Sequence, residues 1–220
     1  MMSAGLSVSD DIYTRAAEIA RPFQDLPSMI LSRRDWLLSV IGAASALALP
    51  RTRAAELELT PEGLIAEPWF LDSFLDLPDD LATTHKEGKR FVIMWELRGC
   101  PYCRETHLVN FAQPRIRDYI RANFEVLQLN IIGDRKVKDF DGNEVAEKAL
   151  AAKYDVHFTP TFQFFRDTPE AMASLTPQQR EVARAPGYLR PDDFLAFFRY
   201  VREKAYEKGS FRDFLKSQPS

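Results

Sequence analysis

The chain has 220 residues, of which 45% are hydrophobic and 28% charged, and this is the composition of a globular protein with one ordinary core. Its formal net charge of −3 argues against a nucleic-acid-binding protein, because such proteins carry excess Lys and Arg to replace phosphate counterions. The two cysteines, Cys100 and Cys103, form a single C-x-x-C, which excludes a small scaffold held by several disulfides. A bridge between them closes a tiny loop, so we expect its purpose to be chemical rather than structural.

The first part of the chain has the layout of an export leader. From Ser32 it reads S-R-R-D-W-L-L-S-V-I-G-A-A-S-A-L-A-L-P-R-T-R-A-A, with an arginine pair, a weakly apolar stretch and then small residues. The apolar stretch is shorter than the roughly 20 residues of a bilayer-spanning helix. The arginine pair resembles a twin-arginine signal, and an ordinary Sec signal is the alternative.

These features predict three regions and a location. We expect residues 29–55 to be the signal peptide and residues 56–220 to be the mature domain. Residues 1–28 place acidic and polar sequence ahead of the arginine pair, so we expect translation to start at Met29, or these residues to form a disordered extension. The protein is then exported to the periplasm.

The mature chain alternates helical and strand patterns. Residues 68–87 are predicted as a helix broken at Pro78, residues 91–95 as a central strand, and the chain from Pro101 to just before Pro114 as a helix. The remaining predictions, in order, are a helix at 114–123, a strand at 125–132, an exposed insertion or hairpin at 133–143, a helix at 146–154, strands at 161–165 and 181–184, and a helix at 191–206. Such an order is typical of an α/β domain.

Two patterns invite a functional interpretation but have a simpler one. The aromatic residues Phe194, Phe197, Phe198, Tyr200 and Tyr206 repeat at helical spacing, which favours core packing over a binding surface. The charge-rich stretch 134–139 is expected to be a solvated loop, with partner recognition as the alternative.

The C-P-Y-C sequence supplies what thiol–disulfide exchange requires. One thiolate must attack a disulfide, and a second thiol must lie close enough to resolve the mixed disulfide. Cys100 is the predicted attacker, because at a helix N-terminus the dipole and free backbone N–H groups stabilise its thiolate. Cys103, one turn further on, is predicted to be more buried and to act second. Between them, Pro101 keeps the loop rigid, and Pro101 and Tyr102 are candidate substrate-binding residues.

A second motif stands ahead of the predicted strand at 161–165. It is Thr159-Pro160-Thr161, and in exchangers of this architecture the peptide bond before that proline is cis. A cis Thr159–Pro160 bond would place its backbone beside Cys100, where a substrate chain could pair with it as an added strand. A trans bond is the ordinary alternative. Thr159 and Pro160 are therefore candidate substrate-binding residues.

Several segments resemble a known family. The sequences G-C-P-Y-C-R-E-T-H, F-T-P-T-F-Q-F-F and A-P-G-Y-L-R-P-D-D-F-L resemble a thioredoxin-fold protein over residues 68–206. More narrowly, W-F-L-D-S-F-L-D-L, L-N-I-I-G-D-R-K-V with its D-G-N-E, and the tail Y-V-R-E-K-A-Y…S-F-R-D-F-L are similar to periplasmic SoxW-type thioredoxins encoded with sulfur-oxidation systems. The resemblance implies an α/β thioredoxin fold, with a central mixed sheet flanked by helices, an N-terminal helical extension and an insertion after the central strand.

The resemblance also implies a role. It is that of a periplasmic dithiol carrier whose only redox group is the Cys100–Cys103 disulfide, with no cofactor. A membrane thiol transporter of the CcdA/SoxV kind would reduce it, and exported disulfide-containing proteins, such as those of the thiosulfate-oxidising machinery, would accept its electrons. We expect a monomer that binds no nucleic acid.

The sequence departs from the family at the proton acceptor. Thioredoxins commonly have a buried acidic residue six positions before the first cysteine, where this chain has Met94. Glu96 is the candidate to assist, although alternation along the strand is expected to turn it to the face opposite Met94. Gly99 replaces the usual Trp, and Arg98 adds a positive charge that favours a thiolate.

Other functions stay open. C-P-Y-C is glutaredoxin-like, so an oxidase or isomerase is one alternative to a reductase, and a thioredoxin-fold adaptor with incidental cysteines is another. Cys100, Cys103 and His107 form C-x2-C-x3-H, but structural zinc normally takes four ligands, and His85 and His157 lack ligand-like spacing. We therefore expect no metal, and we expect His107 on the helix surface or in the substrate groove.

Overall fold

The computed structural model describes residues 57–218 and arranges them around a four-stranded sheet. The predicted leader and the residues before it lie outside the described residues. The strands are β1 (Arg90–Glu96), β2 (Phe124–Asn130), β3 (Lys136–Lys138), β4 (Glu144–Ala146), β5 (Thr161–Phe165) and β6 (Glu181–Pro186). The helices are α1 (Leu77–Lys86), α2 (Pro101–Glu105, continued as a π-helix over Thr106–Phe111), α3 (Pro114–Asn123), α4 (Glu147–Lys153), α5 (Pro177–Arg180), α6 (Pro191–Arg202) and α7 (Phe211–Ser217), with 3₁₀ turns at Glu170–Met172 and Ala205–Glu207.

The main sheet is mixed, as predicted. Its strand order is β2-β1-β5-β6, with β1 parallel to β2 and antiparallel to β5, and with β5 antiparallel to β6. Every residue of β1 is buried, because helices cover both faces of this central strand. Residues 91–95 of this strand therefore form a continuous apolar run, which is why the sequence predicts the strand.

Each face of the sheet packs against its own set of helices. On one face, Val92 and Met94 of β1 meet side chains of α3, α6 and the π-helical turn. On the other face, Phe91, Ile93 and Trp95 meet α1 and α4. The aromatic residues of α6 belong to the first core, as predicted: Phe194, Phe197, Phe198 and Tyr200 are buried, and Tyr206 packs against them half-buried.

The first helix is shorter than the pattern predicts. The sequence indicates a helix over residues 68–87 broken at Pro78, but the helix begins only at Leu77, and residues 68–76 form turns and bends. The Asp76 carboxylate accepts a hydrogen bond from the Asp79 N–H at 3.3 Å and caps the helix. Pro78 lies in the first turn, where no N–H donor is needed, so it starts the helix rather than breaking it.

The predicted insertion is a two-stranded hairpin, β3 paired antiparallel with β4. It is not the solvated loop expected from its charges, because Val137 and Asp139 are buried. The Asp139 carboxylate accepts hydrogen bonds from the backbone N–H groups of Asp141 and Asn143, each at 2.9 Å, and lies 2.6 Å from the Lys153 ammonium. The buried charge is thus paired and closes the turn.

Helix α7 follows α6 and was not predicted. Its Phe211 and Phe214 pack against the α6 side of the core. Among residues 57–218, no helix has both the length and the apolar character needed to cross a membrane.

Candidate active site

The C-P-Y-C sequence starts helix α2, as predicted. Cys100 is the N-cap residue, and its Sγ accepts a hydrogen bond from the Cys103 N–H at 3.1 Å. Pro101 occupies the first turn. Cys100 and Cys103 are joined by a disulfide with a Cα–Cα distance of 5.3 Å. Cys100 is half-buried and Cys103 is only 3% exposed, so a partner can reach the first sulfur but not the second.

The loop before β5 lies against Cys100. The Thr159–Pro160 peptide bond is cis, which confirms the prediction. The Thr159 carbonyl oxygen lies 3.5 Å from Cys100 Sγ, and the Thr159 hydroxyl donates to the same sulfur at 3.4 Å. The Pro160 carbonyl accepts a hydrogen bond from the Gly187 N–H at 2.7 Å, which ties the loop to the end of β6. The fold therefore joins the two sequence motifs at one sulfur atom.

Two exposed aromatic side chains flank the disulfide. Tyr102 lies between the cysteines and is 60% exposed, and Phe158 directly precedes Thr159 and is 68% exposed. The Tyr102 ring stacks on Tyr188, with a centroid distance of 6.3 Å. Large exposed apolar groups beside a reactive sulfur offer contact area to another protein. The sequence names Tyr102, whereas the exposure of Phe158 follows only from the fold.

A cleft of about 490 Å³ lies along the cysteines. Its walls come from the segment before α1, the end of β1 and the start of α2, and they include Leu59, Leu64, Ile65, Glu96, Arg98, Cys100 and Cys103. The segment is fixed there by Arg98, whose guanidinium donates to the Glu62 carbonyl at 3.4 Å. A Cβ on Gly63, whose φ is +78°, would lie 2.5 Å from Arg98 Nε. The positive φ favours glycine here, and any larger residue would also displace the Arg98 side chain.

Glu96 is buried at the end of β1, and it lies on the same side of the sheet as Met94. The expectation that the two residues face opposite sides was wrong, because residues two apart in a regular strand share a face. The Glu96 side chain is 2% exposed. One carboxylate oxygen lies 3.0 Å from His107 Nε2, and the other accepts from the Gln128 side-chain amide. Glu96 lines the cleft together with both cysteines.

His107 is buried, not on the helix surface or in a groove as expected. It is 3% exposed, and its Nδ1 lies 2.8 Å from a carboxylate oxygen of Glu67. Burial disfavours the imidazolium, but hydrogen bonds to Glu67 and Glu96 outweigh it and raise the pKa of His107 from 6.5 to about 9. Sequence analysis missed Glu67. No pattern in the sequence points to Glu67, which lies outside the helices and strands. The signal for the rest of the group was Glu96 and Gln128 within buried strands, with His107 one helical turn after Cys103.

The zinc alternative does not match this geometry. The two sulfurs are bonded to each other, and both ring nitrogens of His107 face carboxylates. Within residues 57–218, no group of three or more His, Cys, Asp or Glu side chains is placed to hold a metal ion. The arrangement instead combines a reachable disulfide sulfur with a buried partner sulfur, which is what thiol–disulfide exchange uses.

Comparison with known proteins agrees with this geometry. Residues 77–202, more than half of the chain, match the thioredoxin-like domain family. Curated proteins give no match.

Solved structures similar to the chain include three bacterial proteins. A thioredoxin-fold protein from Helicobacter pylori is 24% identical, with 63% of this chain and 87% of that chain covered and a TM-score of 0.44. A thioredoxin from Thermus thermophilus is 23% identical, with 57% and 83% covered and a TM-score of 0.42. The oxidised C-terminal domain of DsbD from Neisseria meningitidis is 16% identical, with 56% and 90% covered and a TM-score of 0.37.

All three TM-scores are below 0.5, so the assignment depends on the sequence match and on the site itself. The match spans α1 to α6 and therefore includes both cysteines and the cis proline. The chain belongs to the thioredoxin-like domain family, and its Cys100–Cys103 disulfide makes it a thiol–disulfide oxidoreductase.

Proposed function

We propose that the protein is a dithiol carrier that reduces disulfides of partner proteins, with Cys100 as the attacking thiol and Cys103 as the resolving thiol. The observation that carries this proposal is the difference in burial between the two sulfurs at the start of α2. Cys100 caps the helix and is half-buried, whereas Cys103 is 3% exposed. A thiolate at the N-cap is stabilised by the backbone N–H groups of the first turn, and one of these, the N–H of Cys103, already points at Cys100 Sγ.

The exchange then has two steps. The Cys100 thiolate attacks a partner disulfide, forming a bond between Cys100 Sγ and one partner sulfur and releasing the other as a thiolate. Cys103 next loses its proton and attacks Cys100 Sγ, which forms the Cys100–Cys103 disulfide and releases the second partner sulfur. Two electrons pass to the partner, and its two thiolates take up protons from solvent. Glu96 is our candidate to accept the Cys103 proton, since it lines the same cleft.

The loop before β5 is our candidate for holding the partner chain. The Thr159 carbonyl and hydroxyl both lie within 3.5 Å of Cys100 Sγ, so a chain whose sulfur is bonded to Cys100 passes beside this backbone. An extended partner segment can pair with the Thr159 backbone as an added strand. Pro160 belongs to this loop, and Pro101 and Tyr102, which follow Cys100 at the start of α2, are the other candidate contacts for the partner chain.

The proposed setting is the periplasm. Support comes from the signal-like sequence of residues 29–55 and from the resemblance to SoxW-type thioredoxins. A membrane thiol transporter of the CcdA/SoxV kind would supply electrons, and exported proteins of a thiosulfate-oxidising system would receive them. Cell fractionation of the full chain tests the location, and a protein that stays in the cytoplasm would refute it.

The first test is the reduction potential of the Cys100–Cys103 pair in defined thiol buffers. A value near −270 mV supports a reductase, whereas a value near −120 mV identifies an oxidant and refutes the proposed direction. Insulin reduction with Cys100→Ser and Cys103→Ser variants tests the roles, and both variants should lose turnover. An adaptor with incidental cysteines would bind its partners equally well with Cys100→Ser.

The partners can be identified by trapping. In a Cys103→Ala variant the second step is blocked, so partner proteins should stay disulfide-linked to Cys100. Cys100→Ala is the matched control, because it removes the attacking sulfur from the same motif. If the two variants trap the same set of proteins, the proposed division of roles between the cysteines is wrong.

A further inference from the structure

Three ionisable side chains form a buried row behind the cysteines. We call it the carboxylate–imidazole array, and it consists of Glu67, His107 and Glu96. Each residue comes from a different part of the fold: Glu67 from the segment before α1, His107 from the π-helical turn after α2, and Glu96 from the end of β1. The side chains of His107 and Glu96 are only 1% and 2% exposed, and that of Glu67 is 17% exposed.

The array has a defined number of protons. His107 Nδ1 lies 2.8 Å from Glu67, and its Nε2 lies 3.0 Å from Glu96. A neutral imidazole can donate from one nitrogen only, so both contacts are hydrogen bonds to carboxylates only when both nitrogens carry a proton. The same two contacts also form when one acid is protonated and donates to a neutral imidazole, so the row shares two protons in either case. The raised pKa of His107, about 9, assigns both protons to the imidazole at neutral pH, and the array then holds two carboxylates and one imidazolium.

The other atoms around the array hold it in place. The Gln128 amide donates to the second oxygen of Glu96 and also to the Ile65 carbonyl at 2.8 Å. The Trp69 indole donates to the second oxygen of Glu67 at 2.9 Å. The rings of Phe70 and Phe111 lie 6.0 and 5.4 Å from the imidazole. Each carboxylate thus has a fixed orientation, and apolar rings exclude water from the imidazole.

The array is close to the resolving cysteine. Cys103 and His107 are four residues apart on one continuous helix and therefore lie on the same side of it. Glu96 and Cys103 line the same cleft. Met94, at the position where thioredoxins commonly carry their acid, is buried and apolar, so it cannot take a proton. Among residues 57–218, Glu96 is the buried carboxylate that lines this cleft.

We propose that His107 is a positioning residue that, held between Glu67 and Glu96, keeps Glu96 ionised and oriented to accept the proton of the Cys103 thiol. This inference depends on the proposed roles of the two cysteines. The proton moves from Cys103 Sγ to a Glu96 oxygen as Cys103 attacks Cys100 Sγ, and Glu96 returns it to solvent through the cleft after the partner thiolate has left. The imidazolium keeps its own protons throughout and compensates the charge of the carboxylate.

The pH dependence of this step involves the three titratable groups of the array, Glu67, Glu96 and His107, and the charged groups that face them. The other charged groups at the cleft and on the packed elements are Arg98, Arg104, Glu62 and Arg135, the last of which lies 3.7 Å from Glu62 and donates to the Gln128 carbonyl. The pH profile is therefore compared between variants that all keep these four groups.

The test measures the second step alone. Mixing the reduced protein with Ellman's reagent releases one thionitrobenzoate as Cys100 reacts, at a rate that depends on reagent concentration, and a second as Cys103 resolves, at a first-order rate. We expect His107→Gln and Glu96→Gln each to slow the second phase by about 100-fold at pH 7, the typical contribution of a general base. In both variants the rate of the second phase should rise about tenfold per pH unit, because hydroxide then removes the proton of the Cys103 thiol. The double variant should be no slower than Glu96→Gln alone, since the two residues act as a unit.

The matched control is Glu105→Gln, which removes the same charge from an exposed position on the same helix. It should leave both phases unchanged. If His107→Gln only lowers the melting temperature and leaves the second phase with wild-type rate and pH slope, the proposal is wrong. If His107→Gln does not fold, Glu67→Gln takes its place, and it should move the imidazole titration seen by NMR below pH 9 and slow the second phase. A wild-type protein that fails to reduce insulin but shows both phases would refute the proposed function and leave this inference standing.

Discussion

The buried imidazolium of His107 should make the stability of the fold depend on pH above neutrality. The pKa of His107 is about 9 in the folded chain and 6.5 in the unfolded one. Between these values the folded state holds a proton that the unfolded state has lost, so the free energy of unfolding falls as the pH rises. At 1.36 kcal/mol per pKa unit, the contribution is about 3 kcal/mol. It is fully present below pH 6.5 and lost as the pH passes 9.

Urea unfolding of the oxidised protein between pH 6 and 10 measures this contribution. The oxidised form is used because disulfide-bonded cysteines do not titrate. The comparison is with His107→Gln, and the quantity of interest is the difference in the free energy of unfolding between the two proteins. We expect it to shrink by about 3 kcal/mol from pH 6.5 to pH 9. Titrating groups outside the array act equally on both proteins and cancel.

His157→Gln is the matched control. His157 is exposed on the surface, 2.6 Å from Asp155, and its replacement should change the free energy of unfolding by less than about 1 kcal/mol. The reasoning about the array is refuted if the difference for His107→Gln stays constant from pH 6 to 10, or if NMR shows the His107 imidazole titrating near pH 6.5.

Two further substitutions test other parts of the fold. Burial raises the pKa of Asp80 from 3.8 to about 6, so the folded state loses stability as the pH rises through this range. In urea titrations, Asp80→Asn should raise the free energy of unfolding at pH 7 by about 1–2 kcal/mol and change it little at pH 3. Gly63→Ala and Gly142→Ala should each cost about 1 kcal/mol of stability, because both glycines have positive φ, but only Gly63→Ala should lower the rate of insulin reduction, because only its Cβ would displace the Arg98 side chain at the cleft. Equal effects of the two variants on this rate would contradict the assigned contact.

Local sequence patterns were enough to predict the elements around the cysteines. β5 and α3 have the predicted bounds, Thr161–Phe165 and Pro114–Asn123, and the C-P-Y-C begins a helix as expected. These predictions succeed because they depend on local chemistry. A proline at the start of a helix needs no N–H partner, and a strand covered on both faces is mostly apolar. For Thr159–Pro160, the likeness to exchangers of this architecture suggested a cis bond and left trans as the alternative, and the bond is cis.

The environment of each polar side chain was decided only by the tertiary structure. His107 was expected at the surface and is buried, because Glu67, 40 residues earlier, and Glu96, 11 residues earlier, meet it from two other segments. No local pattern fixes such a meeting. A histidine buried at that position with no carboxylate partner would be the neutral imidazole, since burying an unpaired charge costs several kcal/mol.

The same reason explains the charge-rich hairpin. Asp139 looks like a solvated residue in sequence, but Lys153 of α4 and two backbone N–H groups compensate its burial. Hydrophobic periodicity reports which face of an element is covered, whereas the free energy of a buried charge depends on what the rest of the chain places opposite it. The sequence was therefore enough to predict the fold, the reactive cysteines and Glu96 as the candidate acid, whereas the packing of distant segments placed His107 and Gln128 against that acid.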